Sequence, residues 1–230
     1  VPFDPIVKGN PNYKYRQRGK VATLALGYQG GVGAMKRMGG DQLGLDDAGL
    51  QDIVNRWRNQ NPKICKLWRQ MQDAAVHTIR TGRTTQPRAG VVFRKEMAQG
   101  CPFPFLTMEL PGGRKLFYAD PGTTPDDRIT YKEWDKGGWR EAETYGGKLT
   151  ENLTQAVGRD CLAFALDNLR REGYRVVFHV HDEVVIELPD TRDPERALAD
   201  VVRIMSQPAP WAQGLPLNAA GWYGDFFTKD

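Results

Sequence analysis

Little in this sequence points to disulfide or histidine chemistry. The three cysteines, Cys65, Cys101 and Cys161, are odd in number and widely spaced, which excludes a disulfide framework and any thiolate metal spacing. That usage fits a reducing interior. Only three histidines occur, too few for a His-rich metal centre. No apolar run approaches the roughly 18 to 20 residues that a membrane-spanning helix needs, so no membrane partner is expected. No basic segment followed by an apolar run opens the chain as a secretory signal would. Internal repeats and low-complexity tracts are absent. The first residue is Val1 rather than Met, so the chain is expected to be a fragment or a processed piece.

What is there is a globular composition with an uneven charge. The 230 residues are 40% hydrophobic and 26% charged, a balance that supports a packed core in one large or two small domains. The net charge is +4, yet residues 1–40 hold Lys8, Lys14, Arg16, Arg18, Lys20, Lys36 and Arg37 against Asp4 alone, so the rest of the chain is slightly acidic. A basic opening on a balanced protein favours an anionic ligand there; a solvated basic face is the other reading.

Periodicity predicts an α+β protein. Tyr15 to Tyr28 reads as a helix that stops at the Gly30-Gly31-Val32-Gly33 run. Asp46–Asn59 and Pro62–Thr81 read as amphipathic helices, with Leu50, Ile53, Val54 and Trp57 on one core face and Ile64, Leu67, Trp68 and Met71 on the other. Val91–Phe93, Phe105–Leu110 and Lys115–Tyr118 read as strands, and the polar stretch Thr123–Gly138 as a surface loop. Leu149–Arg171 is a long helix ending at Gly173. Arg175–Val180 and Val184–Leu188 are strands, and Asp193-Pro194 caps a last helix. Val1–Asn12 and the aromatic tail from Trp211 read as extended, the tail packing back on the sheet.

Two local units carry charge in a chemically suggestive pattern. Arg16, Lys20, Leu24 and Tyr28 are four apart, and the stripe drifts about 40° per step on a 3.6-residue helix. Arg16 and Lys20 thus share a face and present two cations one turn apart, a fork and a point charge that suit a polyphosphate. Tyr28 stands where the glycines begin, and its ring could meet a base; surface cations above a helix-end cap would look the same. The second unit is His181-Asp182-Glu183 between two β-branched strands. Acids there face water, a partner or a hard cation such as Mg²⁺, unless the segment is a plain hairpin with a polar turn.

Taken together the two units are more specific. Arg16 to Tyr28 resembles motif B of the family A (DNA polymerase I-like) DNA polymerases, Arg-x3-Lys-x7-Tyr, on the O helix of the fingers. Val180-His181-Asp182-Glu183 resembles their motif C on a palm hairpin. Tyr145 to Asn152, leading into Gln155 and Asp160, resembles their Q helix in the style of phage-type members. The resemblance runs through essentially the whole chain. It implies a right-hand polymerase fold of helical fingers (1–83) and antiparallel β palm (84–230), completed by another segment or chain.

The activity so implied is template-directed DNA synthesis, nucleotidyl transfer from dNTP to a primer 3′ hydroxyl with two Mg²⁺ ions, Mn²⁺ being an alternative. Arg16 and Lys20 would bind the triphosphate, Leu24 would face the sugar, and Tyr28 and Gln29 would sit at the nascent pair and template. Asp182, with Glu183 as a less essential neighbour, would hold metal. His181 would lie by the primer terminus and Gln155 in the minor groove of the primer-template. The setting would be the cytoplasm of a bacterial or phage-infected cell.

Three departures from the family pattern matter. Leu24 replaces the usual Phe or Tyr, and Gln29 replaces the usual Gly. The motif A strand, which bears the other metal-binding Asp, belongs before the O helix; only 15 residues precede Arg16, and Asp4 fits no such strand. The resemblance therefore implies a second polypeptide or an upstream segment carrying motif A, the thumb and an exonuclease domain if there is one. A non-catalytic DNA-binding subunit of a replication complex and a fragment of a single-subunit RNA polymerase are the alternatives.

Overall fold

A computed structural model describes residues 9–39, 44–88 and 90–228. Asp4 and most of the segment read as extended at the start lie outside these residues; Pro11–Tyr13 within it is a short 3₁₀ turn. The chain divides into two compact units. The first takes residues 1–109 and 115–153, the second residues 110–114 and 154–230.

In the first unit, helices α1 (Lys14–Leu26), α2 (Val32–Arg37), α3 (Asp47–Gln60) and α4 (Pro62–Thr81) precede a six-stranded antiparallel meander. Its strands, in spatial order, are β1 (Thr85–Arg88), β2 (Val91–Met97), β3 (Pro104–Glu109), β4 (Lys115–Thr123), β5 (Ile129–Asp135) and β6 (Gly138–Thr144). Helix α4 has the bounds its sequence predicts. Pro62 supplies a fixed φ at the first turn, and Gly82 ends the helix at φ +70, a left-handed turn that costs glycine little. Asp46 caps α3 by accepting from the Gly49 N–H at 2.8 Å.

Two cores hold this unit. Ala25 and Leu26 of α1, Met35 of α2, and Leu50 and Val54 of α3 form one. Met71, Ala75, Val76 and Ile79 of α4 pack on Val91, Phe93, Leu106, Met108, Tyr118 and Ile129 of the sheet to form the other. Each large side chain so buried contributes about 1.5 to 3 kcal/mol.

The segment 123–138 is not a loop throughout. Ile129–Asp135 pairs with Gly138–Thr144 across a two-residue turn in which Lys136 (φ +48) and Gly137 (φ +83) are both left-handed, as a type I′ hairpin requires. Its polar residues misled the sequence reading because they alternate with Ile129 and Tyr131, which turn to the core. Short α2 and β1 were also not foreseen.

Helix α5 (Gly146–Arg171) begins in the first unit and continues into the second. The second unit adds β7 (Arg175–Val180), β8 (Glu183–Glu187) and α6 (Pro194–Met205). Leu169 and Tyr174 pack with Ala197 and Ile204 of α6, and Val176, Val184 and Ile186 of the hairpin close over them. Asp193 caps α6, as its sequence predicts, by accepting from the Glu195 and Arg196 N–H groups. The tail returns to the hairpin through Phe227, whose ring meets Phe178 edge-on at 5.3 Å.

Candidate functional site

Helix α1 sorts its residues by face. Val21, Ala25 and Leu26 are buried, while Arg16, Lys20 and Leu24 are exposed, Leu24 at 43%. The i, i+4, i+8 spacing therefore reaches solvent as one stripe. Lys20 makes no hydrogen bond or ion pair with any described residue, and Arg16 stands 5.8 Å over the Tyr13 ring. No acidic residue lies in the first turn of α1, and no side chain caps it. Arg16 lies in the first turn of α1, where a cation opposes the macrodipole, and Lys20 lies one turn further on.

Beyond Leu26 the chain turns through Gly27, Tyr28 and Gln29, and this turn is held from three sides. The Trp68 Nε1–H donates to the Gly27 carbonyl at 3.1 Å. The Arg58 Nη2–H donates to the Gly30 carbonyl at 3.1 Å. The Gln29 side-chain oxygen accepts from the Gly147 N–H at 2.9 Å. Gln29 itself sits at φ +72, the left-handed region where glycine is ordinary and a side chain is strained.

The first turn of α5 is shaped for this contact. A Cβ on Gly147 would fall 2.4 Å from the Tyr28 carbonyl and the Gln29 Cβ, and one on Gly146 would fall 1.9 Å from the Trp68 carbonyl. The Gly146 N–H donates to the Gln72 side-chain oxygen at 2.7 Å. Two glutamines thus satisfy two of the orphan N–H groups that open every helix. None of Arg58, Trp68, Gln72 and Gln29 was foreseen as an anchor. The available signal was the Gly146-Gly147 pair, costly in helix propensity and so in need of a packing reason.

The second unit carries the acidic hairpin. Val180 pairs with Glu183 across a turn made by His181 and Asp182, and His181 is left-handed at φ +52. Positive φ at the first central residue tightens the turn as two-residue hairpins require. Asp182 lies in the turn itself, Glu183 is the first residue of β8, and all three are exposed. A register shift between Val176 and Phe178 breaks the alternation, so Val176 faces the helices while Phe178, Val180 and Val185 share the other face. Val180 is 37% exposed and Val177 55%. Gln155 is exposed on α5. On the same helix Asp160 accepts from Arg114 Nε at 2.6 Å, and Arg114 also donates to the Ala156 carbonyl. Trp211 lies 3.3 Å from where a Gly112 Cβ would sit.

The chain is similar along its whole length to a DNA polymerase of Bacillus phage SP02. The two are 42% identical over 236 aligned residues, which cover 100% of this chain and 35% of the phage protein. The chain thus spans about a third of that relative's length. No family model matches it. No solved structure matches it either.

The donor set at the hairpin consists of carboxylate oxygens, the chemistry that hard cations take. Among the described residues no group of three His, Cys, Asp or Glu side chains converges to hold a metal ion. Among the described residues no helix is long and apolar enough to cross a membrane.

Proposed function

We propose that this chain is the fingers (1–83) and palm (84–230) portion of a family A DNA polymerase and takes part in template-directed transfer of a nucleotide from dNTP to a primer 3′ hydroxyl. The observation that carries the reading is the exposed Arg16–Lys20 stripe, with no acidic residue in the first turn of its helix, in a chain that aligns throughout with a protein named DNA polymerase.

In this reading Lys20 and Arg16 hold the triphosphate. Lys20 is a point charge and Arg16 a fork one turn away, and among the described residues neither has an ion pair that binding an anion would break. Leu24 faces the sugar, and Tyr28, at the end of the same stripe, meets the nascent pair, with Gln29 directly behind it and bonded to Gly147. Gln155 lies along the primer-template minor groove and His181 by the primer terminus. Asp182, assisted by Glu183, contributes oxygen ligands to Mg²⁺ or Mn²⁺. Two such ions supply activation of the 3′ hydroxyl and charge neutralisation on the phosphates.

The remaining ligands come from a further segment or chain that carries the motif A strand, the thumb and any exonuclease. Two features support that need. The β7–β8 sheet has two strands, marginal by itself, with no further strand paired at either edge among the described residues. Its outer face leaves Val177, Phe178 and Val180 exposed.

The test is primer extension by the polymerase assembled around this chain, with dNTP and rNTP supplied separately. Template-directed dNTP incorporation is expected. Preference for rNTP would move the chain to the single-subunit RNA polymerases. DNA binding with no incorporation in the presence of every partner would make it a structural subunit.

A further inference from the structure

We propose that Gln29 is a positioning residue for the nucleotide site: its side-chain bond to Gly147 latches the turn that follows α1 and carries Tyr28 onto the start of α5. The role rests on the polymerase reading of α1, and the latch itself rests on geometry alone. Gln29 occupies a left-handed position, φ +72, where glycine would fit without strain. A residue kept there for backbone reasons would be glycine. The side chain instead reaches the Gly147 N–H at 2.9 Å, an orphan donor of the first turn of α5 with no helical partner of its own.

The neighbouring orphan, the Gly146 N–H, is satisfied by Gln72. Gln72 lies within α4, whose Met71, Ala75 and Val76 are core, and its Nε2–H donates to the Asp127 carbonyl at 2.6 Å. That glutamine is half-buried and braced on a second side by the Asp127 carbonyl. Gln29 differs because it follows Tyr28 directly and sits at the end of the stripe that bears Lys20.

The remaining anchors of this turn, Trp68 on Gly27 and Arg58 on Gly30, hold carbonyls on either side of Tyr28-Gln29. Neither ties the turn to α5. Without the Gln29 amide the Gly147 N–H loses its acceptor, and the close approach of Tyr28 to Gly147 is kept by packing alone. The turn that carries Tyr28 then samples more positions, and the site it borders is preformed for a smaller fraction of the time. Affinity falls by that fraction.

Three variants separate this role from a backbone role. Gln29→Gly relieves the strain and deletes the acceptor. Gln29→Met keeps the length and deletes the acceptor. Gln29→Glu keeps an acceptor, and its charge suits a helix N-terminus. Two readouts are needed. The first is amide exchange at Gly147 in the 230-residue chain. The second is the kcat and KM for dNTP in primer extension by the assembled polymerase.

We expect Gln29→Gly and Gln29→Met to speed exchange at Gly147 and to raise the KM for dNTP about three- to tenfold, the worth of one hydrogen bond. In both, kcat stays within about twofold, as for a lost ground-state contact. Gln29→Glu is expected to behave as wild type in both readouts.

Gln29→Gly with the wild-type KM would overturn the proposal, since glycine would then serve as well. Failure of Gln29→Glu to restore the KM, with the chain folded, would also overturn it. A wild-type assembly that incorporates no dNTP would overturn the polymerase reading and the nucleotide role together. In that event the exchange at Gly147 still reports the latch independently.

Discussion

Replacing Gly146 by alanine should destabilise the protein, although alanine is the better helix former. Gly146 is the first residue of α5, where the propensity gain is at most about 1 kcal/mol. Against it stands a new Cβ placed 1.9 Å from the Trp68 carbonyl oxygen and 2.8 Å from its carbon. Both atoms are backbone within α4, so no rotamer change can clear the contact. Overpacking of this kind costs about 1 to 3 kcal/mol.

Moving α5 away would also stretch the Gly146 N–H bond to Gln72, worth about 1 kcal/mol net. The balance is a loss of about 1 to 4 kcal/mol, read as a lowered urea midpoint. Gly158 on the same helix provides the control. It is exposed and has nothing within 4 Å of its would-be Cβ. Gly158→Ala should therefore stabilise by about 0.5 to 1 kcal/mol. A Gly146→Ala variant as stable as wild type would refute the close docking of α5 on α4. A destabilised Gly158→Ala would refute the assumption that space decides the sign.

Lys20→Ala should raise the KM for dNTP by up to about a hundredfold, the scale of a charge-assisted bond to phosphate, and leave primer-template affinity unchanged; equal loss of both would place Lys20 on the DNA backbone. Leu24→Tyr should raise the use of dideoxynucleotides relative to dNTP in primer extension, because a phenol would stand where the missing 3′ hydroxyl made its contact; an unchanged ratio would refute the register of α1. Burial pushes the Tyr118 hydroxyl up to about 12, partly offset by the Asn152 hydrogen bond. The unfolded chain therefore releases this proton near pH 10 and the folded chain does not, so stability held below pH ~10 should fall by about 3 kcal/mol as pH rises through 12. Tyr118→Phe should remove that part of the alkaline loss in pH-dependent urea unfolding.

How much was legible in the sequence depended on what carried each signal. Helix α4 and the cap at Asp193 were readable because local chemistry sets them: a proline at the first turn, a left-handed glycine at the last, a carboxylate beside free N–H groups. The β5–β6 hairpin was hidden because Thr130, Lys132 and Glu133 look like loop residues until Ile129 and Tyr131 are seen to alternate with them. The exposed stripe on α1 followed from spacing, and the exposure of Leu24 agrees with it. The turn after it did not, because Gln29 departs from the expected glycine and yet adopts the glycine conformation. Its partner Gly147 lies 118 residues away, a separation that no local pattern encodes. The hairpin acids were visible as adjacent letters, whereas the left-handed His181 that turns the chain between the strands was not.

If the hairpin carboxylate serves nucleotide transfer as proposed, Asp182→Ala in the assembled polymerase must strip its activity. A metal ligand acts on the transition state more than on ground-state DNA affinity. Primer extension with dNTP should be abolished while primer-template binding stays within a few-fold of wild type. Extension at a near wild-type rate by Asp182→Ala would contradict it.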